Sequence, residues 1–134
     1  MRSLGLDIGD KRIGVALSDP QGILASPLTI IDRQDDRTDI EAIVAIVHQN
    51  QVGQIIVGLP LSMNGSIGQQ AEKVKAFTRE LCNSIAVPVE FRDERLSTVS
   101  ARRLAQTVKK TRKTRHDAMA AALILQSYLD EKSP

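Results

Sequence analysis

The hydrophobic period of this chain changes between residues 31 and 40, and that change restricts the fold more than any other feature. Upstream, apolar residues alternate. Leu4, Leu6 and Ile8 share one face while Ser3, Gly5 and Asp7 share the other, and Ile13, Val15 and Leu17 repeat the pattern. A period of two is that of a strand, so Ser3–Ile8 and Arg12–Ser18 read as two strands joined at Gly9-Asp10-Lys11. Asp19-Pro20-Gln21-Gly22 has the residues of a type I turn, after which Ile23–Ile31 reads as a third strand, with Pro27 favouring an edge or a bulge.

Downstream, the spacing becomes helical. Thr38-Asp39-Ile40-Glu41 reads as a capping box ahead of Ile40, Ile43, Val44 and Val47. Gln54–Leu59, with the unbroken apolar run Ile55–Leu59, is of strand length, as in a strand covered on both faces. Ser66-Ile67-Gly68-Gln69 reads as a second capping box, opening a helix that turns Ala71, Val74, Phe77 and Leu81 inward. Val87, Val89 and Phe91 alternate in a fifth strand. Ala101, Leu104, Ala105 and Val108 mark a third helix, and Ala118, Ala121, Ala122, Leu125 and Leu129 a last one. The order β-β-β-α-β-α-β-α-α predicts an α/β fold of the ribonuclease H-like type. A three-strand antiparallel meander is extended by parallel strands into a mixed five-stranded sheet with helices on both faces, all in one domain, 1–134.

Composition narrows the partners. Apolar residues are 42% and charged residues 25% of the chain, as in ordinary globular proteins. The single Cys82 excludes an internal disulfide and a cysteine-rich zinc site, and its place on or next to an apolar helix face suits core packing. The longest apolar run, Ala118–Leu125, is too short to cross a bilayer, and the N-terminus does not read as a signal peptide, so a cytoplasmic protein with no membrane partner is expected. Aromatic residues are 2% with no Trp, which disfavours base-stacking platforms. Eight basic residues lie between Arg95 and Arg115 with no acid among them, on a chain otherwise richer in acids. Such a stretch is either a solvated helix face or the footprint of a phosphate-bearing partner.

Three acids stand out. Asp7 lies on the strand face opposite Leu4, Leu6 and Ile8; it is either a turn carboxylate or a functional one. Asp93-Glu94 follows the fifth strand, where sites open at the carboxyl ends of parallel strands, or forms a surface turn that screens arginines. Periodicity puts Asp93 and Glu94 on opposite faces without identifying the functional one. Asp117 opens the last helix, where an acid also stabilises the helix dipole. In the predicted fold the three elements converge on one side of the sheet. Clustered carboxylates repel unless a hard divalent cation neutralises them, and a metal site beside a basic stretch implies phosphodiester hydrolysis. Asn64, Gly65 and Ser66, ahead of the second helix, form either a candidate phosphate-binding segment or an ordinary turn.

Four segments carry a family resemblance when taken together: Leu6-Asp7-Ile8-Gly9-Asp10-Lys11-Arg12-Ile13-Gly14-Val15-Ala16, Ile56-Val57-Gly58-Leu59-Pro60-Leu61, Asp93-Glu94-Arg95-Leu96-Ser97-Thr98, and the run from Asp117 to Gln126. In that order, across nearly the whole chain, they resemble the YqgF/RuvX family of pre-16S rRNA nucleases, relatives of the RuvC-type Holliday-junction resolvases. Asp10 stands where the family commonly has Thr and Ala118 where it commonly has Ser, and the segment from Lys109 to His116 is short and lacks the family's frequent glycine. The resemblance implies a catalytic and metal-binding triad of Asp7, Glu94 and Asp117 with Mg²⁺ or Mn²⁺, selecting Glu94 over Asp93. Lys11, Arg12, Arg95, Arg102, Arg103, Lys109, Lys110 and Arg112 are the candidate nucleic-acid contacts.

The expected activity is hydrolysis of structured RNA, with pre-16S rRNA as the implied substrate, in ribosome biogenesis and in the company of ribosomal precursor particles. Cleavage of branched DNA is the nearest alternative, because phosphate contacts do not report the sugar. A non-catalytic nucleic-acid-binding protein of the same fold is the third. An actin-like or sugar-kinase ATPase, which shares an Asp-x-Gly turn, would need a second domain that 134 residues do not supply.

Overall fold

The computed structural model describes residues 1–62, 64–94 and 116–132, the side chains of His116 and Asp117 excepted. Five strands form one sheet in the order β3-β2-β1-β4-β5. β1 (Arg2–Ile8), β2 (Arg12–Ser18) and β3 (Ala25–Asp32) make the antiparallel meander, while β4 (Val52–Leu59) runs parallel to β1 and β5 (Val89–Asp93) parallel to β4. Helices α1 (Asp36–Gln49) and α2 (Gln69–Cys82) pack on one face, and α3 (His116–Lys132) packs on the other, mainly over β1, β2 and β3. This is the ribonuclease H-like arrangement expected from the sequence. The expected helix around Ala101–Val108 lies outside the described residues.

Local chemistry explains where the elements begin. The Gly22 N–H donates to the Asp19 carbonyl at 3.0 Å, closing the expected turn. Asp19 Oδ1 also accepts from the Ile23 and Leu24 amides at 2.7 and 2.9 Å, so these residues belong to the turn and β3 starts at Ala25, not at Ile23. Those amide donors hold the Asp19 carboxyl below the usual range, the Leu24 bond contributing most. β3 is an edge strand, and its register slips where Pro27 pairs with Ala16, which fulfils both readings of that proline. β5 enters the ladder only at Val89, because Pro88 has no N–H, although its carbonyl accepts from Ile55 at 2.9 Å.

Both helix starts differ from the capping boxes. Asp35 caps α1: its backbone is extended and its carboxylate accepts from the Thr38 N–H at 2.8 Å and the Thr38 hydroxyl at 3.0 Å. Thr38 is therefore already in the first turn. α2 begins after Gly68 with no side-chain cap. Ser66 cannot serve there because the chain from Ser62 to Ser66 closes on itself, with the Ser62 N–H donating to the Ser66 carbonyl at 2.9 Å and the Ser66 N–H to Asn64 Oδ1 at 3.0 Å. Cys82 is a further correction: Leu81 takes the buried position at the end of α2, and Cys82, one residue round the helix, is exposed.

Candidate active site

The site is assembled at the C-terminal end of β1, on the face covered by α3. Asp7 pairs across the antiparallel ladder with Gly14, and the parallel register of Leu6 with Val57 continues to put Asp7 beside Gly58. A half-buried carboxylate thus stands between two glycines. Neither neighbour projects a side chain over it, and α3 settles close to the sheet. A Cβ on Gly5 would meet Leu125 Cβ at 2.8 Å and the Ala121 carbonyl at 2.9 Å, and one on Gly58 would clash with Ile124 Cδ1.

β5 delivers Glu94 to the same place. Ile56 pairs with Glu90 and Gly58 with Arg92, so Glu90 and Arg92 lie on the α3 face, whereas Phe91 and Asp93 pair with Val57 and Leu59 and alternate to the other. Glu94 follows Arg92 onto the α3 face, its Cγ 3.1 Å from where a Gly58 side chain would begin. Removal from water raises its carboxyl to about 7, helped by the negative charges of Asp7 and then Asp93. Asp7 and Glu94 are therefore close enough to oppose each other's ionisation. Two acids from separate strands share one half-buried spot.

The helix orients the third acid. Near the start of β1, Ser3 Oγ accepts from Gln54, whose Oε1 accepts in turn from the Tyr128 hydroxyl at 3.4 Å. Two residues further along β1, Gly5 meets Leu125 and Ala121. Helix positions fall as strand positions rise, so α3 runs against β1 and its first turn, which includes Asp117, is at the Asp7 end. The side chain of Asp117 lies outside the described residues, among which no three His, Cys, Asp or Glu side chains form a metal-holding group. The donor set nevertheless suits a hard divalent cation: oxygen ligands only, half-buried, with a charge repulsion that a cation would relieve.

Lys11 and Arg12 are exposed and line a 240 Å³ cleft with Asp7 and Gly9, so two of the expected phosphate contacts adjoin the acids. Arg95, Arg102, Arg103, Lys109, Lys110 and Arg112 lie outside the described residues. Asn64, Gly65 and Ser66 form a turn whose Gly65 and Ser66 amides donate to the Ser62 carbonyl and to Asn64 Oδ1, which leaves those amides committed within the loop.

Two arginines that anchor elements leading to the site were not foreseen. Arg92, almost buried, donates to Ser127 Oγ at 3.0 Å and pairs with Glu131 at 2.9 Å, tying the strand before Glu94 to α3. Arg33 makes ion pairs with Asp36 and buried Asp39. A run of Asp35, Asp36 and Asp39 just after an arginine was the available signal for the second. Nothing local pointed to the first, whose partners lie 35 and 39 residues away in sequence.

Comparison with known proteins identifies the family and the fold. A family model described as "RuvX: Holliday junction resolvase" matches residues 1–131. Proteins carrying the name "Putative pre-16S rRNA nuclease" are similar: that of Dehalococcoides mccartyi is 56% identical over 95% of this chain and 96% of its own length, and that of Thermoanaerobacter pseudethanolicus 46% identical over 98% of each. Among solved structures, Thermus thermophilus RuvC in complex with a Holliday junction substrate superposes with a TM-score of 0.69 at 13% identity, covering 99% of this chain and 97% of RuvC. The fowlpox virus Holliday junction resolvase gives a TM-score of 0.59 at 13% identity, covering 98% and 99%. At that identity the likeness shows the fold, and the family match covers nearly all of the sequence. The chain belongs to the RuvX family.

Proposed function

We propose that this chain is a divalent-metal-dependent nuclease that hydrolyses phosphodiester bonds in structured RNA, processing the 5′ end of pre-16S rRNA. The observation that carries the reading is the meeting of Asp7 and Glu94, from the ends of two parallel strands, beneath a helix whose first turn contains Asp117. The names borne by the similar sequences above favour RNA over DNA as the substrate, and residues 1–134 act as one nuclease domain.

Asp7, Glu94 and Asp117 would hold Mg²⁺ or Mn²⁺. A cation held there would supply Lewis acidity and offset the charge of the scissile phosphate. The chain's own residues prepare the site. The glycines beside Asp7 keep the approach to its carboxylate clear. Glu94, whose carboxyl is raised to about 7 by removal from water and by Asp7 and Asp93, would have to be deprotonated to serve as a ligand. Lys11 and Arg12 bind substrate phosphates at the mouth of the cleft, and Arg95, Arg102 and Arg103 are further phosphate contacts read from the sequence.

The test is cleavage of a pre-16S 5′-end RNA and of a four-way DNA junction, with and without Mg²⁺ or Mn²⁺, by wild type beside Asp7→Asn. RNA cleavage that needs both the metal and Asp7 is expected. Preferential cleavage of the junction would reassign the substrate, and equal rates for the two proteins would overturn the active-site assignment.

A further inference from the structure

Arg33 stands directly after β3, on the α1–α2 side of the sheet and away from the acids. Its side chain is 20% exposed and all three guanidinium nitrogens are used. Nε donates to Asp39 Oδ2 at 2.7 Å, Nη2 to Asp36 Oδ1 at 2.8 Å, and Nη1 to the Gly9 carbonyl at 2.9 Å. Its Cζ lies over the Phe77 ring on α2, 4.9 Å from the ring centre. The Arg33 main-chain N–H also donates to the Lys11 carbonyl at 2.9 Å.

These contacts converge on one short turn. Gly9 to Lys11 links β1 to β2, Gly9 is two residues from Asp7, and Gly9 and Lys11 line the cleft in which Asp7 stands. The turn is already tight, with the Gly9 N–H donating to the Arg12 carbonyl at 2.9 Å. Asp39 is 1% exposed and also accepts from the Gln34 amide at 3.2 Å, so the far anchor of Arg33 is itself fixed in the first turn of α1. A planar guanidinium can reach three acceptors in fixed directions, which an ammonium on a flexible stem cannot.

We propose that Arg33 is a positioning residue of the active site: through the Gly9 carbonyl it sets the Gly9–Lys11 turn, and with it the Asp7 main chain and the Lys11 and Arg12 wall of the cleft. The proposal rests on reading Asp7 as the catalytic carboxylate. Arg33 touches no substrate in this scheme. Its work is to tie the Gly9–Lys11 turn to α1 and α2.

Two variants separate positioning from bracing. Arg33→Lys keeps a cation beside Asp39 but loses the bridge to Gly9. The double variant Arg33→Met with Asp39→Asn removes both charges, so no unpaired carboxylate is left buried. Each is compared with wild type by thermal unfolding, by hydrogen exchange of the Gly9 amide, by Mn²⁺-induced NMR broadening around Asp7, and by kcat and KM on the RNA substrate. Expected are folded proteins with faster Gly9 exchange, weaker Mn²⁺ broadening at Asp7, and kcat lower by about 10- to 100-fold, with KM changed far less. A folded variant with wild-type exchange, broadening and kcat would overturn the proposal and leave Arg33 as a brace of the fold alone. If wild type cleaves neither substrate, the nuclease reading fails separately. Gly9 exchange and Mn²⁺ broadening then decide the role of Arg33: changes in both support it, and wild-type values overturn it.

Discussion

The two faces of the sheet use the same five strands but are built from different side chains. Toward α1 and α2 the strands present branched aliphatics such as Leu4, Leu6, Ile13, Val15, Ile55 and Val57, all fully buried. Toward α3 they present Gly5, Ala16, Ile56 and Gly58, met by Ala118, Ala121 and Ala122. Large residues hold two helices off the sheet and fill the gap with apolar volume, so the first face is a core. Small residues let one helix come close, and that helix covers mainly the antiparallel half. Asp7 and Glu94 stand half-buried at the strand ends near the first turn of that helix. One face stores stability and the other accommodates charge.

The sharpest way to break that contrast is to neutralise the acids. Asp7→Asn should abolish cleavage, a loss of at least several orders of magnitude, while the melting temperature holds or rises because repulsion with Glu94 is removed; a variant that loses activity only by unfolding would place Asp7 in the structural class. Glu94→Gln should lose turnover by several orders of magnitude with nucleic-acid binding retained, and Asp93→Asn, on the core-side face, should lose far less. The reverse result would hand the ligand role to Asp93.

Opposite behaviour is expected from Leu6, the neighbour of Asp7 on the core face. Leu6→Ala should cost roughly 2–5 kcal/mol of stability in denaturant unfolding, with the folded fraction still cleaving at the wild-type rate per molecule. Gly58→Ala tests the thinner face. The added methyl meets Ile124 and Glu94, so it should cost about 1–3 kcal/mol and also depress turnover, coupling the two properties that Leu6→Ala separates.

The smallest effect is on the pH dependence of stability. Glu94 titrates near 7 in the fold against 4.5 when free, so between those values the folded chain binds more protons than the unfolded one. Its contribution is present below about 4.5 and is lost as pH rises through about 7, so metal-free wild type should lose stability across that window. Glu94→Gln should flatten the profile, which unfolding curves at pH 5 and pH 8 would check. An unchanged slope would mean that Glu94 is as well solvated as an exposed carboxylate.

Alternation alone determined the meander, and the unbroken apolar run from Ile55 to Val57 announced a strand buried on both faces, because side-chain period and burial are local properties of a strand. The placing of Asp93 and Glu94 on opposite faces was legible for the same reason. Periodicity did not say which of those faces carries the candidate site; the family resemblance chose Glu94, and the pairing of β5 with β4, which sets Arg92 beside Gly58, puts Glu94 on the α3 face. Helix starts also escaped sequence reading: Thr38 and Ser66 fit a capping motif, but Asp35 reaches the Thr38 amide first and Ser66 is consumed by its own turn. Tertiary structure alone decided that Arg92 would bind Ser127 and Glu131 and that Arg33 would reach the Gly9 carbonyl. A charge finds its partner through the packing of elements distant in sequence, and no local pattern carries that information.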